Sequence, residues 1–115
     1  FSWQFALGVF IPASILSHHQ DNLVNVLGHM PTAGYRNFEI DDKSTNNWLT
    51  GLLVWGQGWH NNHHHYPGSA RQGFYWWEVD LSYSVLVVLS KCGIVWDLRK
   101  PNEKVLNRDR IQIPA

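Results

Sequence analysis

A single cysteine, Cys92, rules out an internal disulfide, and with it the cross-linked framework of small extracellular domains. Alone, it reads as a small buried hydrophobe. Charge is scarce as well. Nine basic and nine acidic residues among 115 cancel to zero, which argues against a nucleic-acid-binding domain driven by phosphate neutralisation. There is no phosphate-binding Gly loop and no internal repeat. The start carries no initiator Met and no charged signal-peptide head: Phe1 opens directly into an apolar run, so the sequence reads as a fragment of something longer. Its one His-rich stretch contains no Glu, where an H-E-x-x-H zinc protease would carry its base. The length allows one domain at most, with a modest core.

Aromatics and histidines are plentiful. Seven Trp, four Tyr and five Phe are the composition of interface belts or of a large aromatic site. The densest chemistry lies in Trp59-His60-Asn61-Asn62-His63-His64-His65-Tyr66. On a helix with His60 as origin, His63 falls at about 300°, His64 at about 40° and His65 at about 140°. His60, His63 and His64 therefore share one face, and His65 points elsewhere. Three imidazoles on one face suit one transition-metal ion or a bridged pair; the plainer alternative is a surface tract that binds metal adventitiously.

Residues 1–17 are apolar and uncharged, at the lower limit for a membrane span, and read as the end of a transmembrane helix or as a buried helix of a soluble protein. His18 and His19 come next, at an interfacial position. Asn25 and His29, four apart, lie about 40° from each other on a helix and can meet one metal, His29 through nitrogen and Asn25 through its amide or a water. By itself that pair is equally a satisfied polar contact. Met30-Pro31 ends the helix. Residues 32–44 have no clear period and read as a loop in water, with Asp41, Asp42 or Ser44 available to cap the next helix.

The pattern then predicts one helix over 45–65, in which Trp48, Leu52, Trp55 and Trp59 form an aromatic stripe leading to His63. Gly51, Gly56 and Gly58 within it imply close helix approach, passage of a ligand, or a break at Gly56-Gln57-Gly58. Tyr66-Pro67-Gly68-Ser69 stops it. An aromatic cluster around Phe74, Tyr75, Trp76 and Trp77 suits a headgroup boundary. Asp80 then caps a short helix over 81–92 that packs on the others or lies at the interface, with Gly93 as its stop. Residues 98–115 form a polar tail whose basic excess hints at the cytoplasmic side, or is simply solvated.

Taken in order, N-x-x-x-H at Asn25/His29, D-x-S-x-N-N-W from Asp42 to Trp48, G-Q-G-W-H-N-N-H-H from Gly56 to His64, S-A-R-Q-G from Ser69 to Gly73, W-W-E-V-D from Trp76 to Asp80 and G-I-V-W-D from Gly93 to Asp97 resemble the C-terminal part of membrane-bound fatty acyl desaturases, most of all the acyl-CoA Δ9 type. The resemblance implies an all-α integral membrane protein with a cytosolic His-box cap region, 1–115 being the C-terminal part of one such domain. It implies a non-haem di-iron centre, with His29, His60, His63 and His64 as ligands, Asn25 acting through water, and no catalytic residue beyond the ligands. Gln57, Trp55 and Trp59 would stand behind the metals or along the substrate tunnel. Relatives often carry G-E-G where this chain has Gly56-Gln57-Gly58, and His65 extends the box without being assigned to iron. The family's two earlier His boxes would lie upstream of Phe1. That suits the donor count, since four His and an Asn cannot satisfy two irons and no E-x-x-H pair of the soluble di-iron type is present.

The implied reaction introduces a cis double bond into a fatty acyl chain, carried by coenzyme A, a carrier protein or a lipid, using O2 and two electrons from a cytochrome b-type protein or a ferredoxin. Membrane lipid is an expected partner and nucleic acid is not. A related acyl or alkyl hydroxylase, or a non-catalytic metal-binding membrane module, are the competing readings.

Overall fold

The computed structural model describes residues 2–111; Phe1 and the end of the polar tail, 112–115, lie outside the described residues. Helix α1 (Trp3–Phe5), a π-helical stretch (Ala6–Phe10) and α2 (Ile11–Gly28) run into one another as a single rod. Its start is capped by Ser2, whose hydroxyl accepts from Phe5 N–H at 3.2 Å. The π stretch has a local cause. Pro12 lacks an N–H and its ring would strike the carbonyl four residues back, so the preceding turn widens and Ile11 N–H reaches back to the Ala6 carbonyl.

Large apolar side chains stand open along this rod, among them Trp3, Leu7, Phe10 and Leu16, and only Val24 and Gly28 of α2 are buried. No helix among the described residues is long and apolar enough to cross a membrane.

The remaining elements are α3 (Trp48–Leu53), α4 (His60–His65), α5 (Leu81–Lys91) and α6 (Glu103–Asn107). The described residues form no strand. Isolated bridges pair Tyr35 with Asn46, Asn46 with Trp59, and Phe38 with Arg110, and pin the loops to one another. The all-α expectation holds.

The core of this half is largely polar. Val24, Phe38, Val54, Trp59 and Phe74 are its buried apolar residues, whereas Asn46, Asn61, Asn62, Glu78 and Asp80 are among the buried polar ones. Burying polar groups is tolerable only where they are bonded. Glu78, 1% exposed, meets that condition fully. One of its oxygens accepts from Tyr35 Oη–H at 2.8 Å and Asn37 Nδ2 at 2.7 Å. The other accepts from Asn62 Nδ2 at 2.7 Å and from the N–H groups of Phe74 and Tyr75 at 2.8 and 3.1 Å. Burial and the neighbouring Glu78 charge push the Tyr35 hydroxyl far above the usual phenol range, so it stays a donor.

The single helix expected over 45–65 is two helices. Asn47, not Asp41, Asp42 or Ser44, caps α3 by accepting from Thr50 N–H at 3.0 Å. The chain then leaves right-handed geometry at Trp55 (φ 56°) and Gly56 (φ 107°), a conformation that ends a helix and that glycine adopts without strain. A side chain at Gly56 would also strike the Asp80 carboxylate. The break dissolves the aromatic stripe. Trp55 stands 55% exposed, while Trp59 is fully buried and donates its indole N–H to the Val79 carbonyl at 3.0 Å.

Further along, Asp80 caps α5 by accepting from Tyr83 N–H at 2.9 Å, and Gly93 (φ 72°) lies just past its end, as the sequence indicates. No residue of α5 is buried, and Cys92 is exposed rather than buried. The tail, expected as a solvated appendage, folds back as far as Ile111. Arg99 O accepts from Ala70 N–H at 2.8 Å, Asp109 O from Glu39 N–H at 2.7 Å, and Ile111 N–H donates to Asn37 O at 2.9 Å.

Candidate metal centre

Two elements meet at the site. His29 is the cap residue at the C-terminus of α2, and α4 carries His60, His63 and His64. Their approach depends on Gly28, where a Cβ would lie only 2.7 Å from Cδ2 of His60. With hydrogen there instead, the His60 ring lies against the end of α2. Its Nε2 is then 3.1 Å from Nε2 of His29 and 3.1 Å from Nε2 of His64. Ligand atoms of these three residues all lie within 4.8 Å of one another.

Protonation of His60 and His63 is disfavoured. Burial, with the neighbouring His64, His29 and His63, pushes the His60 imidazole down to about 4, and burial together with His64 lowers His63. Neutral rings have lone pairs to place. Three converging ring nitrogens share too few protons to satisfy every N···N contact, and a cation between them relieves that. The donor set fits a histidine-bound transition metal.

Asp42 adds a contact. Its Oδ2 lies 2.5 Å from Nδ1 of His64, and its Oδ1 accepts from Ser44 N–H at 2.7 Å. Burial works against its charge, but the hydrogen bonds from Ser44 and the nearby His64 and His29 hold its carboxyl below the usual carboxylate range.

Of the residues expected at the metals, His29, His60 and His64 converge. His63 stands to one side, its ring 6.1 Å from that of His60 and 5.7 Å from that of His64. It lines a cavity of about 440 Å³ together with Asn25, Gln57, Trp55 and His60. Trp59 does not line it. His65 turns to the opposite face of α4, where its ring stacks on Phe38 at 3.8 Å and its Nε2 donates to Val105 O at 2.8 Å. His18 is exposed, and His19 Nδ1 lies 2.9 Å from Ile15 O, both away from the cluster.

Between the histidines, Asn61 and Asn62 anchor the helix. Asn61 Oδ1 accepts from the N–H groups of Asn37 and Phe38, each at 2.9 Å, and its Nδ2 donates to Phe38 O at 3.1 Å. Asn62 Oδ1 accepts from Asn37 Nδ2 at 2.8 Å and Asn46 Nδ2 at 2.9 Å, while its Nδ2 donates to Gln72 O at 2.9 Å and to Glu78. Sequence reasoning assigns no role to Glu78, Asn61 or Asn62 and sees Asp42 only as a helix cap. The available signal is two consecutive Asn inside a helix, where they gain little unless their amides are bonded elsewhere.

The described residues are helical and bring histidines together from one helix end and one short His-rich helix, without paired carboxylates among them, a cluster compatible with a metal site. Known proteins narrow that class. No family model matches the chain. Over 103 residues it is 40% identical to the sn-1 stearoyl-lipid 9-desaturase of Anabaena variabilis, covering 89% of this chain and 37% of that protein. It is 35% identical to Delta-9 acyl-lipid desaturase 1 of Arabidopsis thaliana over 107 residues, 93% of this chain and 33% of that protein. The acyl-CoA C20 Delta5-desaturase of Anemone leveillei is 40% identical over 90 residues, 78% of this chain and 28% of that protein. The chain belongs to the fatty acyl desaturase family. It spans about a third of the length of the curated relatives it matches.

Proposed function

We propose that the protein to which this chain belongs is a membrane-bound fatty acyl desaturase, an oxidoreductase that uses O2 and a di-iron centre to introduce a cis double bond, of Δ9 type. The single observation that carries the reading is the convergence of the His29, His60 and His64 Nε2 atoms next to a cavity lined by His63 and Asn25. His29, His60 and His64 would hold metal directly, His63 would ligate from the cavity side, and Asn25 would act through water. Upstream histidines would complete the set, since these donors are too few for two ions. Bound iron would activate O2, the oxidant that removal of hydrogen from two unactivated methylene carbons demands.

The chain's own residues do the holding. Gly28 admits the His60 ring, and Asn61 and Asn62 clamp α4 so that its imidazoles need not search for their positions. Trp55 and Gln57 form part of the cavity wall on the side where an acyl chain would pass. The exposed apolar residues of the N-terminal rod support burial of that rod in lipid against further segments, and the histidines would then lie on the cytosolic side. Electrons would come from a cytochrome b-type protein or a ferredoxin. Relatives named for acyl-lipid and for acyl-CoA substrates match at similar identity, so either carrier suits the reading.

The test is to express the full-length protein in a host lacking its own Δ9 desaturase and profile the acyl chains. Monounsaturated product that disappears in His60→Ala is expected. Hydroxylated product in its place, or none from a folded, iron-loaded protein with its redox partner, would overturn the reading.

A further inference from the structure

Resting on the metal reading above, we infer that Asp42 is a positioning residue for the metal ligand His64. A carboxylate only accepts hydrogen bonds, so its 2.5 Å contact assigns the proton of His64 to Nδ1. Nε2, on the other side of the ring, is left with a bare lone pair. That is the atom lying 3.1 Å from Nε2 of His60, inside the cluster. The contact thus selects the tautomer, sets the ring's rotation, and places a negative charge one imidazole away from where a cation's charge arrives.

Three features make this more than a surface ion pair. Asp42 is itself held, because Ser44 N–H donates to its second oxygen at 2.7 Å. Among the described residues no lysine or arginine pairs with it, and its ion-pair partner is His64 alone. The loop carrying it is also anchored independently: Asn37 and Phe38 N–H groups donate to Asn61, and Tyr35 and Asn46 exchange backbone hydrogen bonds of 2.9 and 2.6 Å. Removing the Asp42 carboxylate should therefore release the His64 ring without releasing the loop.

The experiment is a double-mutant cycle on the purified full-length protein, stripped of metal and titrated with cobalt(II), with affinity and the visible ligand-field spectrum as readouts. Asp42→Ala is expected to weaken one equivalent of cobalt by about 10- to 100-fold and to change its spectrum. Asp42→Asn, whose amide oxygen still accepts from Nδ1–H, should retain an intermediate affinity, and it serves if the alanine variant folds poorly. In a His64→Ala background, Asp42→Ala should add nothing. An unchanged affinity in Asp42→Ala, or an equal loss with and without His64, would overturn the inference while leaving the metal site standing. A wild-type protein that takes up no cobalt would instead overturn the metal reading itself.

Discussion

The two faces of α4 are built from six consecutive residues and put to opposite uses. On one face, Asn61, Asn62 and His65 are buried and bonded to the loops, to Glu78 and to the returning tail. On the other, His60, His63 and His64 touch mainly one another, and the carboxylate among their partners is Asp42. A helix this short has no stability of its own. The amide face therefore supplies the order, and the imidazole face is left with unshared lone pairs for a metal. Mutations on the two faces should separate folding from metal binding.

The largest effect on stability belongs to Glu78→Ala. It strands the five donors that now meet the carboxylate, and should lower the unfolding free energy by about 3–5 kcal/mol in denaturant melts. A smaller change would mean that water replaces the side chain. Next comes Gly28→Ala. Forcing a methyl group against the His60 ring should cost about 1–3 kcal/mol and reduce metal content as well, which would couple the two faces through the end of α2. His65→Ala removes the Phe38 stack and the bond to Val105 O, worth about 1–3 kcal/mol together, yet bound iron per folded molecule should stay at the wild-type level. Iron loss from stably folded His65→Ala would break the division between the faces. The smallest change in stability, within about 1 kcal/mol, is expected for the half-buried His64→Ala, even though the proposed function requires unsaturated product to disappear in it. Thermal melts beside acyl profiling would check both halves of that statement.

Much of the site is legible in the residue pattern. The helical period separates His60, His63 and His64 from His65, and the structure sends His65 to the opposite face. The Asp80 cap and the Gly93 stop are readable because each acts within a turn of its own helix. The break after α3 is harder. It passes through Trp55, a residue with no intrinsic preference for positive φ, and the three glycines are equally consistent with close packing. The tail misleads because its charges suggest solvent, whereas its attachment runs largely through backbone groups that composition does not report.

The sequence by itself determined which donors exist, which of them share a helical face, and where several helices start and stop, because those properties depend on neighbours within about four residues. The tertiary structure alone decided that His29 closes on His60 and His64 while His63 turns to the cavity, that Asp42 meets His64, and that Glu78 ties the amide face together. Those contacts join segments through loops with no repeating pattern. Their geometry is set by mutual burial and by the need to satisfy every polar group that burial strips of water.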